Sequence, residues 1–329
     1  MRALVTGATG FLGGALARSL HASGWQVRAL GRNAAAGAAL RAAGMEFIAA
    51  PLEDGRQAAA ACEGADVVFH SAALSSPWGR ESAFVAANVT GTRNVIAGCE
   101  QHRVARLVHI STPSLYFDFR HRLDLTESSP LAARPVNAYA RTKLIAEQCV
   151  DAAVARGLDA VTLRPRAIFG PGDTTLFPRL LRVARRRKFP LIGDGDPLMD
   201  VTHIGNIVDA LIAAATAPHI AGKKYNITNG EPWARSELLR ELFTQTGHVF
   251  TPRAVPLRAA LAVATLMEWA SRIFTASRWE PPLTRYSAAV LAFSQTFDLT
   301  AARRDLGYAP AVGVREGIRQ FAEWHRAQR

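Results

Sequence analysis

The chain has 329 residues, 49% hydrophobic and 20% charged, with 39 lysines and arginines against 27 acids for a net charge of +12. At roughly 150 residues per domain this is enough for about two domains, and the proportions exclude a collagen-like or disordered chain. The three cysteines, Cys62, Cys99 and Cys149, are far apart and form no CxxC, which excludes a disulfide framework or a cysteine-rich zinc site and suits a reducing compartment.

Only four of the 39 basic residues are lysines (Lys143, Lys188, Lys223 and Lys224). The surplus is therefore scattered arginine in an alanine-rich sequence. It reads as a codon-usage bias, with attraction to anions as the functional alternative. The densest run, Arg179 to Lys188, alternates apolar pairs with arginines at helical spacing. It reads as a solvated helix face, and no nucleic-acid partner is expected.

Taken in chain order, short β-rich runs occur at Ala3 to Thr6, Gln26 to Leu30, Glu46 to Ala49, Val67 to Ser71, Leu107 to Ser111 and Ala160 to Leu163. Helical stretches lie between them at Phe11 to Ser23, Ala34 to Ala43, Gly55 to Glu63, Phe84 to His102 and Tyr139 to Arg156. This alternation predicts βαβ units and a doubly wound parallel sheet, an α/β fold of Rossmann type. The strands are continuous apolar runs, as expected when helices cover both faces. A strand at residues 2–6 leaves no room for a secretory signal. The apolar stretch Leu257 to Phe274 carries Arg258, Glu268 and Arg272, too polar for a membrane span of about 20 residues. A cytoplasmic protein is expected. After Pro165 glycine and proline cluster, so residues 1–168 are expected to form a dinucleotide-binding domain. Residues 169–329 are expected to form mainly a smaller, mixed substrate domain, with a return to the first domain around 201–229.

The first motif is Thr6-Gly7-Ala8-Thr9-Gly10-Phe11-Leu12-Gly13-Gly14, between the first strand and the first helix. Gly7 allows the tight turn, Gly10 lets a pyrophosphate approach the backbone, and Gly13 lets helix and strand pack closely. The helix then turns unpaired N–H groups towards the phosphates. An NAD site commonly ends the second strand with an acid. Here Leu30-Gly31-Arg32-Asn33 has none, and Arg32 offers a guanidinium to a 2′-phosphate. NADP(H) is therefore preferred over NAD(H), the bland alternative being one more surface arginine.

Tyr139 and Lys143 stand four apart, one turn apart on one helix face. A nearby ammonium favours the phenolate and brings a group that titrates near 10 towards acid/base work. The strand Leu107 to Ser111 ends in hydroxyls, Ser111-Thr112-Pro113-Ser114. At the carboxyl edge of an α/β sheet, Ser111 or Thr112 can bond a reacting carbonyl oxygen, or simply satisfy the backbone. His70 and His109 lie in buried strand patterns, and the nine histidines show no metal-ligand pairing. No metal site and no hydrolase nucleophile are expected.

Together these segments resemble the extended short-chain dehydrogenase/reductase superfamily over nearly the whole chain. Within it they are most similar to the 3β-hydroxysteroid dehydrogenase-like branch, which includes bacterial 2-alkyl-3-oxoalkanoate reductases. The branch is suggested by Ile110 to Ser114, Ile192-Gly193-Asp194-Gly195, Tyr225 to Pro232, Pro281 to Arg285 and Arg303 to Tyr308. The resemblance implies a catalytic set of Tyr139, Lys143, Thr112 and its neighbour Ser111, with Asn88 propping the site. It implies cofactor contacts from Gly7, Thr9, Gly10, Phe11, Leu12, Gly13, Arg32, Ser71, Ala72 and Ala73, and from Tyr139, Lys143, Pro165 and Ile168. Pro51 stands where the family has an Asp near the adenine, leaving Leu52 to pack there.

The implied activity is NADP(H)-dependent interconversion of a secondary alcohol and a ketone on a hydrophobic steroid-like or β-keto acyl molecule. The alternatives are a nucleotide-sugar epimerase or dehydratase and a catalytically silent dinucleotide sensor. Tyr116 to Phe119 and the segment with Leu261, Met267, Trp269 and Phe274 are candidates for an apolar pocket, or are core. A homodimer through the helices Phe84 to His102 and Tyr139 to Arg156 is implied by the resemblance alone.

Overall fold

A computed structural model describes residues 1–184 and 189–328. Arg185 to Lys188, the end of the arginine run, lie outside the described residues; Arg179 in that run pairs with Glu280 at 2.6 Å. Seven strands form one parallel sheet: β1 (Arg2–Thr6), β2 (Gln26–Gly31), β3 (Glu46–Ala49), β4 (Val67–His70), β5 (Arg106–Ile110), β6 (Ala160–Pro165) and β7 (Lys224–Ile227). Their spatial order is β7-β6-β5-β4-β1-β2-β3. The chain runs outward through β2 and β3, then crosses back so that β4 pairs with β1, Thr6 opposite His70. That reversal leaves a crevice at the carboxyl ends of β1 and β4, where sheets of this kind bind ligands.

The helices are α1 (Phe11–Ala22), α2 (Ala34–Ala42), α3 (Gly55–Ala61), α4 (Gly91–Gln101), α5 (Ala138–Ala155) and α6 (Ile204–Thr216). Successive strand residues serve opposite faces. In β1, Ala3 and Val5 pack with Leu16 and Leu20 of α1 and with Ile207 and Leu211 of α6. Leu4 packs with Ala58 of α3, Val95 of α4 and Val150 of α5. Both strand faces are thus apolar because both are covered.

The stretch expected as one helix from Phe84 to His102 is not uniform. A turn at Glu81–Phe84 leads into a π-helical segment, Val85–Thr90, before α4. The widened turn accommodates Asn88, which is 1% exposed and bonds away from its own helix.

The second layer has its own core, including Phe169, Phe177, Trp233, Phe243 and Phe321. A small sheet orders Trp233–Ala234, Leu198–Met199, Gln295–Phe297 and Arg122–Leu125. Several segments behind the family resemblance are clasps, the first two at β7 of the large sheet and the third in the second layer. Tyr225 donates to Asp305 at 2.9 Å and Tyr308 to the Thr228 carbonyl at 2.8 Å. Arg235 donates to the carbonyls of Ile192, Leu291 and Gly195. The helix α7 (Leu257–Thr275) buries Ala260, Ala264, Glu268 and Ser271. Trp269 and Phe274, candidates for an apolar pocket or the core, are 60% and 79% exposed and so are not core; helical phase puts Trp269 opposite the buried stripe, and Phe274 lies in the last turn. No described helix is long and apolar enough to cross a membrane.

Candidate active site

The loop after β1 is shaped by steric need. Gly7 has φ +69°, and a Cβ there would lie 2.8 Å from the Ala72 backbone. A Cβ on Gly13 would lie 2.4 Å from the Gly7 carbonyl oxygen and 2.6 Å from Ser71 Oγ. Gly10 caps α1 with no side chain, so the amides of Phe11, Leu12 and Gly13 open onto the crevice with the positive end of the helix dipole. A pyrophosphate fits such a cradle, and a side chain at Gly13 would push α1 away from the strand ends that support it.

Thr9 decides the end of β2, because a Cβ on Gly31 would meet its side chain at 2.7 Å. An acid therefore cannot stand at that position without displacing the loop. A cavity of about 160 Å³ lies beside the loop, lined by Thr9, Gly10, Arg18, Ala36 and Leu40 among others. Arg32 is exposed, and no described residue pairs with it. Leu52 is buried in the core, and its carbonyl accepts from Asn94 at 2.7 Å.

The ends of β1 and β4 are stitched together. Ser71 donates to the Thr6 carbonyl at 2.6 Å, and the Ala72 amide donates to Thr6 Oγ1 at 3.2 Å. Thr6 Oγ1 lies 2.9 Å from His70 Nδ1, and His70 Nε2 lies 2.9 Å from Thr92 Oγ1, which donates to the Asn88 carbonyl. The Thr92 proton is thus committed, so Nε2 carries the histidine proton and Nδ1 accepts from Thr6. Burial holds His70 neutral, pushed down to about 3. Asn88 joins three segments: it accepts from the Leu74 amide and donates to the Leu74 carbonyl and to Thr142 Oγ1. It touches the frame around the crevice rather than its open face. Ala73 is exposed at the rim.

Asn137 caps α5 by accepting from the Ala140 amide at 2.8 Å, which starts the helix so that Tyr139 and Lys143 face β5. The Thr112 side chain works to lower the Tyr139 phenol, and burial nevertheless pushes it up to about 12. Lys143 is 1% exposed and pushed down to about 8 by burial, with Glu147 pulling the other way. Its Nζ donates to the Ile110 carbonyl at 2.6 Å and lies 3.4 Å from His109 Nε2. Here the ammonium is directed at the backbone of β5 and does not pull the phenol down; burial dominates.

Ser111 and Thr112 part ways. Ser111 Oγ is buried without a hydrogen-bond partner, while its amide donates to the Leu163 carbonyl at 2.7 Å. Thr112 Oγ1 bonds Ser114 Oγ at 3.0 Å, and Ser114 Oγ lies 2.7 Å from Tyr286 OH. A hydrogen-bonded line of three hydroxyls therefore runs Thr112, Ser114, Tyr286, with the Tyr139 phenol beside Thr112. Tyr116 and Phe117 are core; Phe117 packs edge-on to Tyr286, ring centroids 5.6 Å apart.

Pro165 ends β6, and Ile168 follows a backbone reversal at Ala167, φ +44°. Between them stands Arg166, 5% exposed, its Nε buried without a partner. The sequence reading assigned no role to Arg166, Ser114 or Tyr286. The implied cofactor contacts Pro165 and Ile168 flank Arg166, and Tyr286 directly follows the Pro281 to Arg285 segment, but neither signal assigns them a role.

A profile of the NAD dependent epimerase/dehydratase family matches residues 3–228. The chain is 40% identical over 327 residues to a 2-alkyl-3-oxoalkanoate reductase of Stenotrophomonas maltophilia, covering 98% of each chain. It is 36% identical to a 4-hydroxy-2-methyl-3-oxo-4-farnesyl-3,4-dihydroquinoline-1-oxide ketoreductase of Stigmatella aurantiaca, covering 97% of this chain and 95% of the relative. Among solved structures it resembles MoeE5 in complex with UDP-glucose and NAD, with a TM-score of 0.77 and 27% identity, covering 100% of this chain and 99% of that one. With the glycine cradle, the switch point and the Tyr-Lys helix, these matches identify the chain as a member of the NAD dependent epimerase/dehydratase family, the extended short-chain dehydrogenase/reductases, and as an NAD(P)-dependent oxidoreductase.

Proposed function

We propose that this protein reduces a ketone to a secondary alcohol on a hydrophobic molecule, using NADPH, with Tyr139 as proton donor. The observation that carries the reading is a protonated phenol beside Thr112, on the buried helix turn that also carries Lys143. The amides of Phe11, Leu12 and Gly13 would hold the pyrophosphate of the dinucleotide, and Lys143 would hold the nicotinamide ribose. When bound, the nicotinamide supplies hydride to the carbonyl carbon. Tyr139 and Thr112 direct two hydroxyls at the carbonyl oxygen, and Tyr139 gives up its proton as negative charge develops there. A phenol at about 12 is a weak acid, yet an alkoxide is a far stronger base than a phenolate, so the transfer runs downhill.

Two relatives bear the names of reductases of oxo compounds, which supports a ketone over a sugar. MoeE5, bound to UDP-glucose, favours a second reading, a nucleotide-sugar enzyme. A screen of purified protein with NADPH against aliphatic β-keto acids, steroids and UDP-sugars separates the two. Oxidation of NADPH by the ketones supports the first. Turnover of UDP-sugars on tightly retained cofactor, with no net oxidation, supports the second.

The preference for NADP(H) rests on unpaired Arg32 and on Gly31, which carries no acid. Arg32→Ala is expected to weaken NADPH roughly tenfold or more, the scale of one charge-assisted contact, and to leave NADH nearly unchanged. Fluorescence titration of both nucleotides checks this, and equal losses would argue against a phosphate contact.

A further inference from the structure

Arg166 is a charged side chain with almost no exposure, on the loop leaving β6. Its backbone is fully engaged: the amide donates to the Ile227 carbonyl at 3.1 Å and the carbonyl accepts from Thr202 Oγ1 at 2.6 Å. Its guanidinium is not. Nε is buried without a partner, and among the described residues no group accepts from either terminal nitrogen and no carboxylate pairs with it. The other buried arginine of this strand, Arg164, shows the contrast, clamped on both oxygens of Glu147 at 2.9 and 2.5 Å. A buried cation that makes no close ion pair costs the fold stability, and such groups persist where function requires them.

The ionisable groups that act on Arg166 are the Tyr286 phenol and the Asp200 carboxyl. Asp200 is its countercharge at longer range: Arg166 pulls that carboxyl down, burial still carries it up to about 6, and no close ion pair joins the two. Tyr286 also acts on Tyr139 and closes the hydroxyl line through Ser114 and Thr112. β5 and β6 are neighbours, Ile110 opposite Leu163, so the segments carrying Thr112 and Arg166 leave the sheet side by side.

We propose that Arg166 is the specificity residue of this site, holding the carboxylate of a substrate whose ketone lies within the hydroxyl pair of Tyr139 and Thr112. Among the ketones proposed above, Arg166 would then select the β-keto acids, and the neutral ketone or ester is the poorer substrate. A planar guanidinium takes a carboxylate through two parallel hydrogen bonds, and the buried setting makes that contact count. The proposal rests on the ketone-reduction reading above.

The test compares wild type, Arg166→Gln and Arg166→Lys with NADPH on 3-oxodecanoate and on its ethyl ester. In the glutamine variant kcat/KM for the acid is expected to fall about 30-fold or more, the scale for truncating one partner of a buried charge pair. The ester is expected to change little, and the lysine variant to keep part of the preference. Removing an unpaired buried cation is expected to leave the melting temperature unchanged or raise it. Equal losses on acid and ester, or a fall in melting temperature that accounts for the loss, would overturn the assignment. A second arm reads binding of decanoate to the NADP⁺-saturated protein by calorimetry. Binding to wild type that is weakened in Arg166→Gln supports the carboxylate site even if neither ketone is reduced, in which case only the reduction reading falls. Equal binding to both proteins sinks the carboxylate site.

Discussion

Tyr139→Phe is expected to lower kcat/KM for ketone reduction by roughly a hundred- to ten-thousand-fold, the range supplied by a positioned proton donor, with the affinity for NADPH retained. The ring that packs beside Thr112 stays and only the hydroxyl goes, so the cradle at Gly7 to Gly13 is untouched. Steady-state kinetics beside nucleotide titration reads both halves of the prediction, and undiminished turnover would end the role given to the phenol. The pH profile adds an independent check. The phenol, at about 12, stays protonated through the working range. Lys143, at about 8, does not. As pH rises through 8 the ammonium loses its proton, so the reductive kcat/KM is expected to fall on that limb. A limb that persists in Lys143→Met would assign it elsewhere.

The second large effect is on stability. Arg164 and Glu147 form a bidentate ion pair with side chains 3% and 2% exposed, and the same guanidinium bonds Tyr116 OH and lies 5.2 Å from the centre of its ring. Glu147→Gln leaves a buried cation without its counterion and is expected to cost about 3–5 kcal/mol in denaturant unfolding. Arg164→Met with Glu147→Leu removes both charges, fills the space and is expected to recover most of the loss. A double variant as unstable as the single one would show that the pair, not the orphaned charge, carries the stability. Glu147 also raises the Lys143 ammonium from the next turn of α5. Its loss is expected to shift the descending limb of the pH profile to lower pH, linking the buried pair to the site through charge alone.

The sequence by itself determined the parallel sheet, its covering helices, the glycine cradle and the turn that carries Tyr139 and Lys143. Each is written in near neighbours: apolar runs bounded by glycine, three glycines spaced for one turn, and two side chains four positions apart. What only the tertiary structure decided depends on distant partners. Tyr286 reaches Ser114 across 172 positions, and no local pattern encodes that meeting. The π-helical turn at Asn88 answers to Leu74 and Thr142, which pack against it from elsewhere. Lys143 is aimed by the Ile110 carbonyl, so burial and not the ammonium sets the acidity of the phenol. Trp269 looks outward because α7 buries the opposite stripe of Ala260, Ala264, Glu268 and Ser271. Arg166 reads as one more arginine in a basic chain until the fold encloses it and leaves its guanidinium without a partner. Propensity and spacing act over a few residues, whereas the direction and solvation of a side chain are settled by everything that packs around it.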